Sequence, residues 1–293
     1  MSTPSKAPVM LGLEMPDVDV WSDRVVVALG KNPGPFTGPG TNTYLIGTGS
    51  RRVLLDTGDG RAEYLPVLEQ ALERAGCDGL QEIVLTHGHP DHIGGAADVI
   101  ERFGPLEVKK RPWPEVDARY PIAITAIDDG ARVETEGATL RALHTPGHAQ
   151  DHLCFILEEE GALFSGDNVL GVGTTVIPSQ GGSLAEYLQS LETLLAAAPG
   201  RIYPAHGPCI EDGAGKLREY IDHRLERERQ ILETLGAGAS RVPAIVKIVY
   251  AAYPEALHAA AGQSVTSHLL KLEQEGRVER EGAEPLTASW RTA

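Results

Sequence analysis

Short apolar runs alternate with amphipathic helical segments along most of the chain. The runs at 25–29, 43–46 and 52–55 are rich in valine, isoleucine and leucine, which is typical of buried β-strands. Residues 64–74 and 184–195 instead place leucine and alanine on one side of a helix. Because strands and helices alternate without a fixed-period repeat, the pattern predicts an α/β fold.

The pattern changes after Gly213, where a long amphipathic helix is predicted. Its two sides are an apolar set, Leu217, Tyr220, Ile221, Leu225, Ile231, Leu232 and Leu235, and a polar set, Asp222, Arg224, Glu226, Arg227 and Glu228. Shorter helices are predicted at 243–252 and 266–274, and the second leads into a segment that resembles the first wing strand of a winged helix. We therefore predict two domains, residues 1–212 and a winged-helix-like domain at 213–293.

Three histidines and an aspartate lie in one short run, Thr86-His87-Gly88-His89-Pro90-Asp91-His92. An apolar strand precedes the run and a helical segment follows it, so the run occupies a strand-to-helix junction. Side chains two residues apart on extended backbone point to the same side, so His87 and His89 face one point. Asp91 and His92 begin the helix and face a second point nearby. This arrangement predicts two metal ions rather than one.

Three further candidate ligands follow the ends of later strands. His148 follows an alternating strand closed by a Pro-Gly turn, Asp167 follows residues 162–166, and His206 follows residues 201–205. A single histidine at a strand end is more often structural, but the complete set in this order favours a metal centre. Imidazole and carboxylate ligands without a thiolate are typical of catalytic zinc.

The order and spacing of these residues resemble the ligand set of the metallo-β-lactamase-fold hydrolases, over about the first two-thirds of the chain. The resemblance implies an α/β fold, an αββα sandwich of two sheets between helices. It implies ligands for two zinc ions: His87, His89 and His148 on the first, Asp91, His92 and His206 on the second, and Asp167 bridging both. Mn or Fe is an alternative metal, because oxygen and nitrogen ligands accept several divalent ions.

Residues around the ligands are also assigned from the resemblance. The family aspartate that matches Asp56 orients a zinc-bound histidine, and we place Thr86 and His152 in supporting positions as well. A bridging aspartate such as Asp167 argues against a true β-lactamase and favours the glyoxalase, ribonuclease and thioesterase side of the superfamily.

A closer resemblance, to the group of β-lactamase-like protein two, rests on residues 32–37, 40–45, 54–58 and 145–148. That group includes animal endoribonucleases and fungal polyketide thioesterases, so it leaves the substrate open. The chain departs from the animal members by having Gly88, Pro90 and Ala205 beside ligands. We expect Gly88 and Pro90 to leave the rim of the site smaller and less aromatic.

The formal net charge of −15 is unevenly distributed. Residues 213–293 hold eleven basic and eleven acidic residues, so residues 1–212 hold fifteen basic and thirty acidic residues. No basic stripe suited to many phosphate contacts is present, which excludes tight nonspecific nucleic-acid binding. A neutral C-terminal domain is better suited to form a wall of the metal cleft, or a homodimer contact, than to read nucleic acid.

The three cysteines, Cys77, Cys154 and Cys209, are far apart in the sequence and indicate neither a disulfide framework nor a thiolate zinc site. We expect Cys209, although close to His206, to be a packed, inert thiol. No apolar run approaches the roughly 20 residues that cross a bilayer, and the first residues lack a hydrophobic signal core. These features predict a cytoplasmic protein without membrane contact.

The candidate metal site predicts hydrolysis, because two metal ions lower the pKa of a shared water toward about 7. Asp91 is the candidate to orient that water and to carry a proton to the leaving group. The expected substrate is a small-molecule ester or thioester. Single-strand endoribonuclease activity on RNA is the first alternative, and a metal-stabilised binding protein is the second. A narrow apolar tunnel at the site favours the acyl substrate, and a broad basic groove favours RNA.

Overall fold

The computed structural model describes residue 10 and residues 12–293. Its first sheet has seven strands in sequence order: Val18–Ser22 (β1), Val25–Leu29 (β2), Asn42–Ile46 (β3), Arg51–Leu55 (β4), Gly79–Val84 (β5), Val108–Lys110 (β6) and Ile124–Ala126 (β7). Strands β1 to β4 are antiparallel, and β4 to β7 are parallel. The carboxyl ends of β4 and β5 therefore open at the same edge of the sheet.

The second sheet has the order β12-β11-β10-β9-β8. Its strands are Arg132–Thr135 (β8), Ala138–His144 (β9), Leu153–Leu157 (β10), Ala162–Gly166 (β11) and Arg201–Pro204 (β12). Only β11 and β12 are parallel. The turn at residues 158–161 joins β10 to β11 in a hairpin.

Helices cover the outer face of each sheet. Their bounds are Tyr64–Ala75 (α1), Pro90–Ile93 (α2), Ala96–Phe103 (α3), Pro114–Asp117 (α4), Leu184–Ala196 (α5) and Gly213–Gly236 (α6). In β2, Val25 and Val27 face the core between the sheets, whereas Val26 and Ala28 pack against α1. All five residues of β2 are buried because both faces of the sheet are covered. The predicted αββα sandwich is confirmed.

The C-terminal part adds helices Val242–Val249 (α7) and His258–Gln274 (α8), a 3-10 turn at Glu255–Leu257, and the hairpin Val278–Glu281 (β13) with Ser289–Thr292 (β14). Helix α8 begins eight residues earlier than predicted, because its first two turns are rich in alanine and glycine and show little apolar periodicity. The predicted boundary between residues 212 and 213 stays a prediction, since α6 packs on both parts.

Two details of the predicted helices are wrong. Leu225 of α6 is about half exposed, whereas Arg224, Arg227 and Glu228 are buried, because α6 is covered by the sandwich on one side and by α7 and β14 on another. The helix after the histidine run is interrupted as well. At Gly95 a Cβ atom would lie 2.2 Å from the Thr57 carbonyl oxygen, so the chain turns there between α2 and α3.

Among residue 10 and residues 12–293, no helix is long and apolar enough to cross a membrane.

Candidate metal centre

Strand ends deliver the candidate ligands to one edge of the sandwich. His87 and His89 follow β5, His148 follows β9, Asp167 comes directly after β11, and His206 lies two residues after β12. Asp91 and His92 belong to α2. The structure thus brings together the seven side chains that the sequence singled out, and we call them the ligand cluster.

The first half of the ligand cluster consists of three imidazoles and one carboxylate. His89 Nδ1 lies 2.9 Å from His87 Nε2 and 3.0 Å from His148 Nε2. Asp167 Oδ2 lies 3.4 Å from His148 Nε2. Ligands about 2.0–2.1 Å from a shared tetrahedral ion are about 3.3 Å apart, so this spacing suits one metal ion.

The second half shares Asp167 with the first. His206 Nε2 lies 3.2 Å from Asp91 Oδ2 and 3.1 Å from Asp167 Oδ1. His92 Nε2 lies 3.4 Å from Asp167 Oδ1, and this buried nitrogen has no hydrogen-bond partner among the described residues. Buried polar atoms without partners are costly unless something else binds them. Each half offers four ligand atoms within 4.8 Å of one another, which fits a divalent cation in each.

The ring nitrogens that face away from the centre are held by other groups. Asp56 Oδ2 accepts a hydrogen bond from His92 Nδ1 at 2.8 Å, and Asp56 itself accepts hydrogen bonds from the backbone and side chain of Thr86. The Val176 carbonyl lies 2.9 Å from His148 Nδ1. Such contacts fix the tautomer and ring orientation of a metal-binding histidine. Asp56 adopts φ +60°, a conformation that non-glycine residues seldom take.

His152 supports the shared carboxylate rather than joining the ligands. Its Nε2 accepts a hydrogen bond from the Asp167 backbone N–H at 3.1 Å, so its proton is on Nδ1, which lies 3.2 Å from Thr145 Oγ1. Gly166 makes room for this contact, because a Cβ there would lie 2.5 Å from His152 Nε2. His152 is fully buried and lies at the back of the centre.

Asn42 also supports the site, although the sequence did not predict this role. Its Nδ2 donates to the carbonyls of Pro204 and Gly207, each at 2.8 Å, and its backbone N–H donates to Ala205. These bonds hold both sides of the loop that carries His206. Asn42 lies in the segment 40–45, which contributes to the family resemblance. Nothing in its local sequence pattern indicates partners so distant along the chain.

Charge differs between the two halves of the ligand cluster. Burial lowers the pKa of His148 to about 4 against the opposing charge of Asp167. Burial also lowers the pKa of His206, but the carboxylates of Asp167 and Asp91 outweigh it and raise the pKa to about 9. In the metal-free chain at neutral pH, the first half therefore offers neutral imidazoles, whereas the second half holds protons that a metal must displace.

A cavity of about 400 Å³ opens onto the ligand cluster. Asp91, Asp167 and His206 lie at its floor. Another part of the lining, which we call the apolar wall, consists of Tyr250, Tyr253, Leu257, Ala260 and Ala261 from the C-terminal part of the chain. Leu170, Val172, Val176 and Phe36 complete much of the lining. The site is thus an apolar chamber with a polar floor.

The residues that depart from the animal pattern do not shape this chamber. Gly88 is buried, and a Cβ there would lie 2.8 Å from Val116 Cγ1, so glycine is needed for packing beneath the site. Ala205 is buried behind His206. None of Gly88, Pro90 and Ala205 lines the cavity, so the expectation that Gly88 and Pro90 reduce its rim is wrong.

Cys209 is an unpaired thiol outside the cavity lining. It is half-buried and packs against the core between the two sheets. Burial and the nearby Glu211 carboxylate raise its pKa to about 12, so the thiolate is not formed at neutral pH. This agrees with the prediction of an inert thiol.

Comparison with known proteins agrees with this geometry. The family model of the metallo-beta-lactamase superfamily matches residues 36–206, and that of the beta-lactamase associated winged helix domain matches residues 242–290. The chain belongs to the metallo-beta-lactamase superfamily and is a metal-dependent hydrolase with a C-terminal winged helix domain. The predicted fold class and the predicted resemblance are both confirmed.

Two named relatives are similar to this chain over most of its length. The chain is 40% identical over 267 residues to a beta-lactamase-like protein 2 homolog of Caenorhabditis elegans, covering 89% of this chain and 88% of the relative. It is 42% identical over 223 residues to an atrochrysone carboxyl ACP thioesterase of Claviceps purpurea, covering 76% and 69%. A beta-lactamase domain protein from Burkholderia ambifaria has the same fold, with a TM-score of 0.81, 20% identity and 96% of each chain covered.

Proposed function

We propose that the chain is a binuclear hydrolase, most suited to zinc, that cleaves a small ester or thioester. The observation that carries the substrate class is the chamber of about 400 Å³ with its apolar wall. Such a space suits an acyl group, because apolar surface binds where it leaves water. A polynucleotide would instead need an open basic groove. The thioesterase name of the Claviceps relative supports this assignment.

The ligand cluster supports the count of two metal ions. His87, His89 and His148 would hold the first ion, and Asp91, His92 and His206 the second, with Asp167 shared. Nitrogen and oxygen donors without sulfur suit zinc, and also manganese or iron. Bound metal ions would supply an activated water and polarise the substrate oxygen.

Asp91 is the residue that we assign to proton transfer. Its side chain is 24% exposed, lies at the cavity floor, and has Oδ2 beside His206. The charges of His92 and His206 outweigh the effect of burial and lower the pKa of Asp91, so it is ionised at neutral pH. From this position it can orient a water toward the substrate carbonyl and move a proton to the leaving group.

A substrate comparison tests the assignment. The metal-loaded protein should hydrolyse uncharged acyl thioesters or aryl esters at rates that change little between low and moderate salt, because an uncharged acyl group makes few screened contacts. RNA cleavage in the same preparation should be slow. Rapid RNA cleavage that weakens steeply with salt, without ester or thioester turnover, would make the endoribonuclease the primary function.

A further inference from the structure

Arg224 is a buried cation on the lining of the cavity. It lies in the middle of α6 and is 2% exposed. Its Nη2 donates to the Thr175 carbonyl at 2.6 Å, and its guanidinium lies over the Tyr187 ring, 5.1 Å from the centroid. Among the described residues it has no carboxylate partner, and its Nε has no hydrogen-bond acceptor. A positive charge is therefore fixed at the cavity without a counter-ion.

Some other buried charges within residues 12–293 have charged partners. Lys110 Nζ forms ion pairs with Asp151 Oδ2 at 2.6 Å and with Asp117 Oδ1 at 2.8 Å. Glu228, one turn of α6 after Arg224, accepts from Lys271 at 2.7 Å and from Arg277 at 2.5 Å. Arg52 and Arg227 are likewise buried without an ion pair, but neither lines the cavity. Burying an unpaired charge is unfavourable, so Arg224 is the one of these three arginines whose charge an anion in the cavity can offset.

The surroundings of Arg224 are positive as well. Arg227 stacks on Tyr250 of the apolar wall with Cζ 4.4 Å from the ring centroid, and it forms no ion pair within residues 12–293. Burial and then the charges of Arg224 and Lys271 lower the pKa of His268, so this buried histidine is neutral. A chain with a net charge of −15 thus keeps a local positive region behind its substrate cavity.

Arg224 is also linked to the ligand cluster through Thr175. The Thr175 carbonyl accepts its hydrogen bond, and Thr175 Oγ1 lies 3.1 Å from His148 Nδ1. Both Arg224 and His148 line the same chamber. An acyl group whose carbonyl lies at the ligand cluster can therefore extend to Arg224 without leaving the cavity.

We propose that the substrate carries a carboxylate in its acyl part and that Arg224 binds this carboxylate. A guanidinium pairs well with a planar carboxylate, and the low-polarity cavity strengthens the pair. A single arginine in an apolar chamber suits one negative charge better than a phosphate dianion. This inference rests on the proposed ester or thioester hydrolysis and adds the chemical class of the acyl group.

Matched aryl esters test the proposal. One series consists of the 4-nitrophenyl half-esters of glutarate, adipate, pimelate and suberate, and the other of the same compounds with the free carboxylate capped as a methyl ester. In the metal-loaded wild type, kcat/KM should favour the free carboxylate by about 10- to 100-fold at the best length, the range of a hydrogen bond to a charged group. The four lengths allow for the unknown span of the substrate.

Three variants separate charge from structure. Arg224→Gln should lower kcat/KM far more for the free carboxylates than for the capped esters and so reduce the preference to about one, and Arg224→Lys should keep part of it. Arg227→Gln is the matched control, because Arg227 is buried on the same helix but does not line the cavity, and it should keep the preference. An equal loss for free and capped esters in Arg224→Gln would show that Arg224 only supports Thr175 and His148.

Calorimetric binding of free adipate and hexanoate provides a readout that does not depend on turnover. Adipate should bind the wild type more tightly than hexanoate, and Arg224→Gln should abolish the difference. If esters are hydrolysed without any carboxylate preference at all four lengths, the proposal for Arg224 fails and the proposed hydrolysis stands. If the Arg224-dependent preference for adipate is present but no ester or thioester is cleaved, the carboxylate site stands and the proposed hydrolysis fails.

Discussion

The ligand cluster and the apolar wall line the same cavity, but the chain forms them in different ways. The ligand cluster comes from strand ends within one sandwich, where Asp56 holds His92 and the Val176 carbonyl holds His148 from behind. The apolar wall comes from α7, α8 and the segment between them. We therefore expect catalysis and substrate choice to depend on different residues. Changes at the floor should alter metal binding and kcat, and changes at the wall should alter KM.

The largest expected effect is that of Asp167→Ala. Asp167 belongs to both halves of the ligand cluster, so its loss should reduce bound metal at both and abolish turnover. Elemental analysis of the purified variant measures this. Asp212→Ala is a control, since Asp212 is an exposed carboxylate that caps α6. Two tightly bound ions in the Asp167 variant would show that this residue is not shared.

Asp91→Asn should have the next largest effect. The amide keeps an oxygen ligand but removes the proton acceptor, so kcat should fall about 100-fold while much of the metal stays bound. Steady-state kinetics alongside metal content measure both quantities. Activity within a few-fold of wild type at full metal occupancy would exclude Asp91 as the proton carrier.

Metal uptake should distinguish the two halves of the floor by pH. The raised pKa of His206, about 9, means that metal binding in the second half releases a proton at neutral pH. Burial is also outweighed at His92, where the carboxylates of Asp91 and Asp56 raise the pKa, so affinity there should rise about 10- to 100-fold per pH unit between pH 6 and 8 for one or two displaced protons. In the first half, His148 has a pKa of about 4, so affinity should be nearly constant. Titration of the metal-free protein should show one pH-dependent and one pH-independent step.

The smallest effect is expected at the wall. Tyr253 is half-buried in the cavity lining, and Tyr253→Ala should raise KM for a long acyl ester about fivefold, because less apolar surface is buried, with kcat little changed. The corresponding acetyl ester, too short to reach the wall, is the control. An equal fall of kcat for both esters would mean that the wall also shapes the floor.

The sequence predicted the floor much better than the wall for a physical reason. His87 to His92 lie in one local run, and the other candidate ligands follow recognisable strands, so short-range pattern was sufficient. Arg224 stands on the polar side of the predicted helix, and only the packing of α6 between two hydrophobic cores makes it buried. Asn42 likewise reaches its partners across 162 residues of sequence. Local periodicity does not reveal burial by segments that are distant in the sequence.

Helix α6 has a consequence for how the molecule unfolds. Leu217 and Tyr220 in its first half complete the core beneath the second sheet, and Ile231 and Leu235 in its second half belong to the core of the winged helix domain. Because the helix is continuous, unfolding of the half that belongs to one core would expose apolar surface of the other core. We therefore expect one cooperative melting transition, with equal calorimetric and van't Hoff enthalpies, rather than separate transitions for two domains.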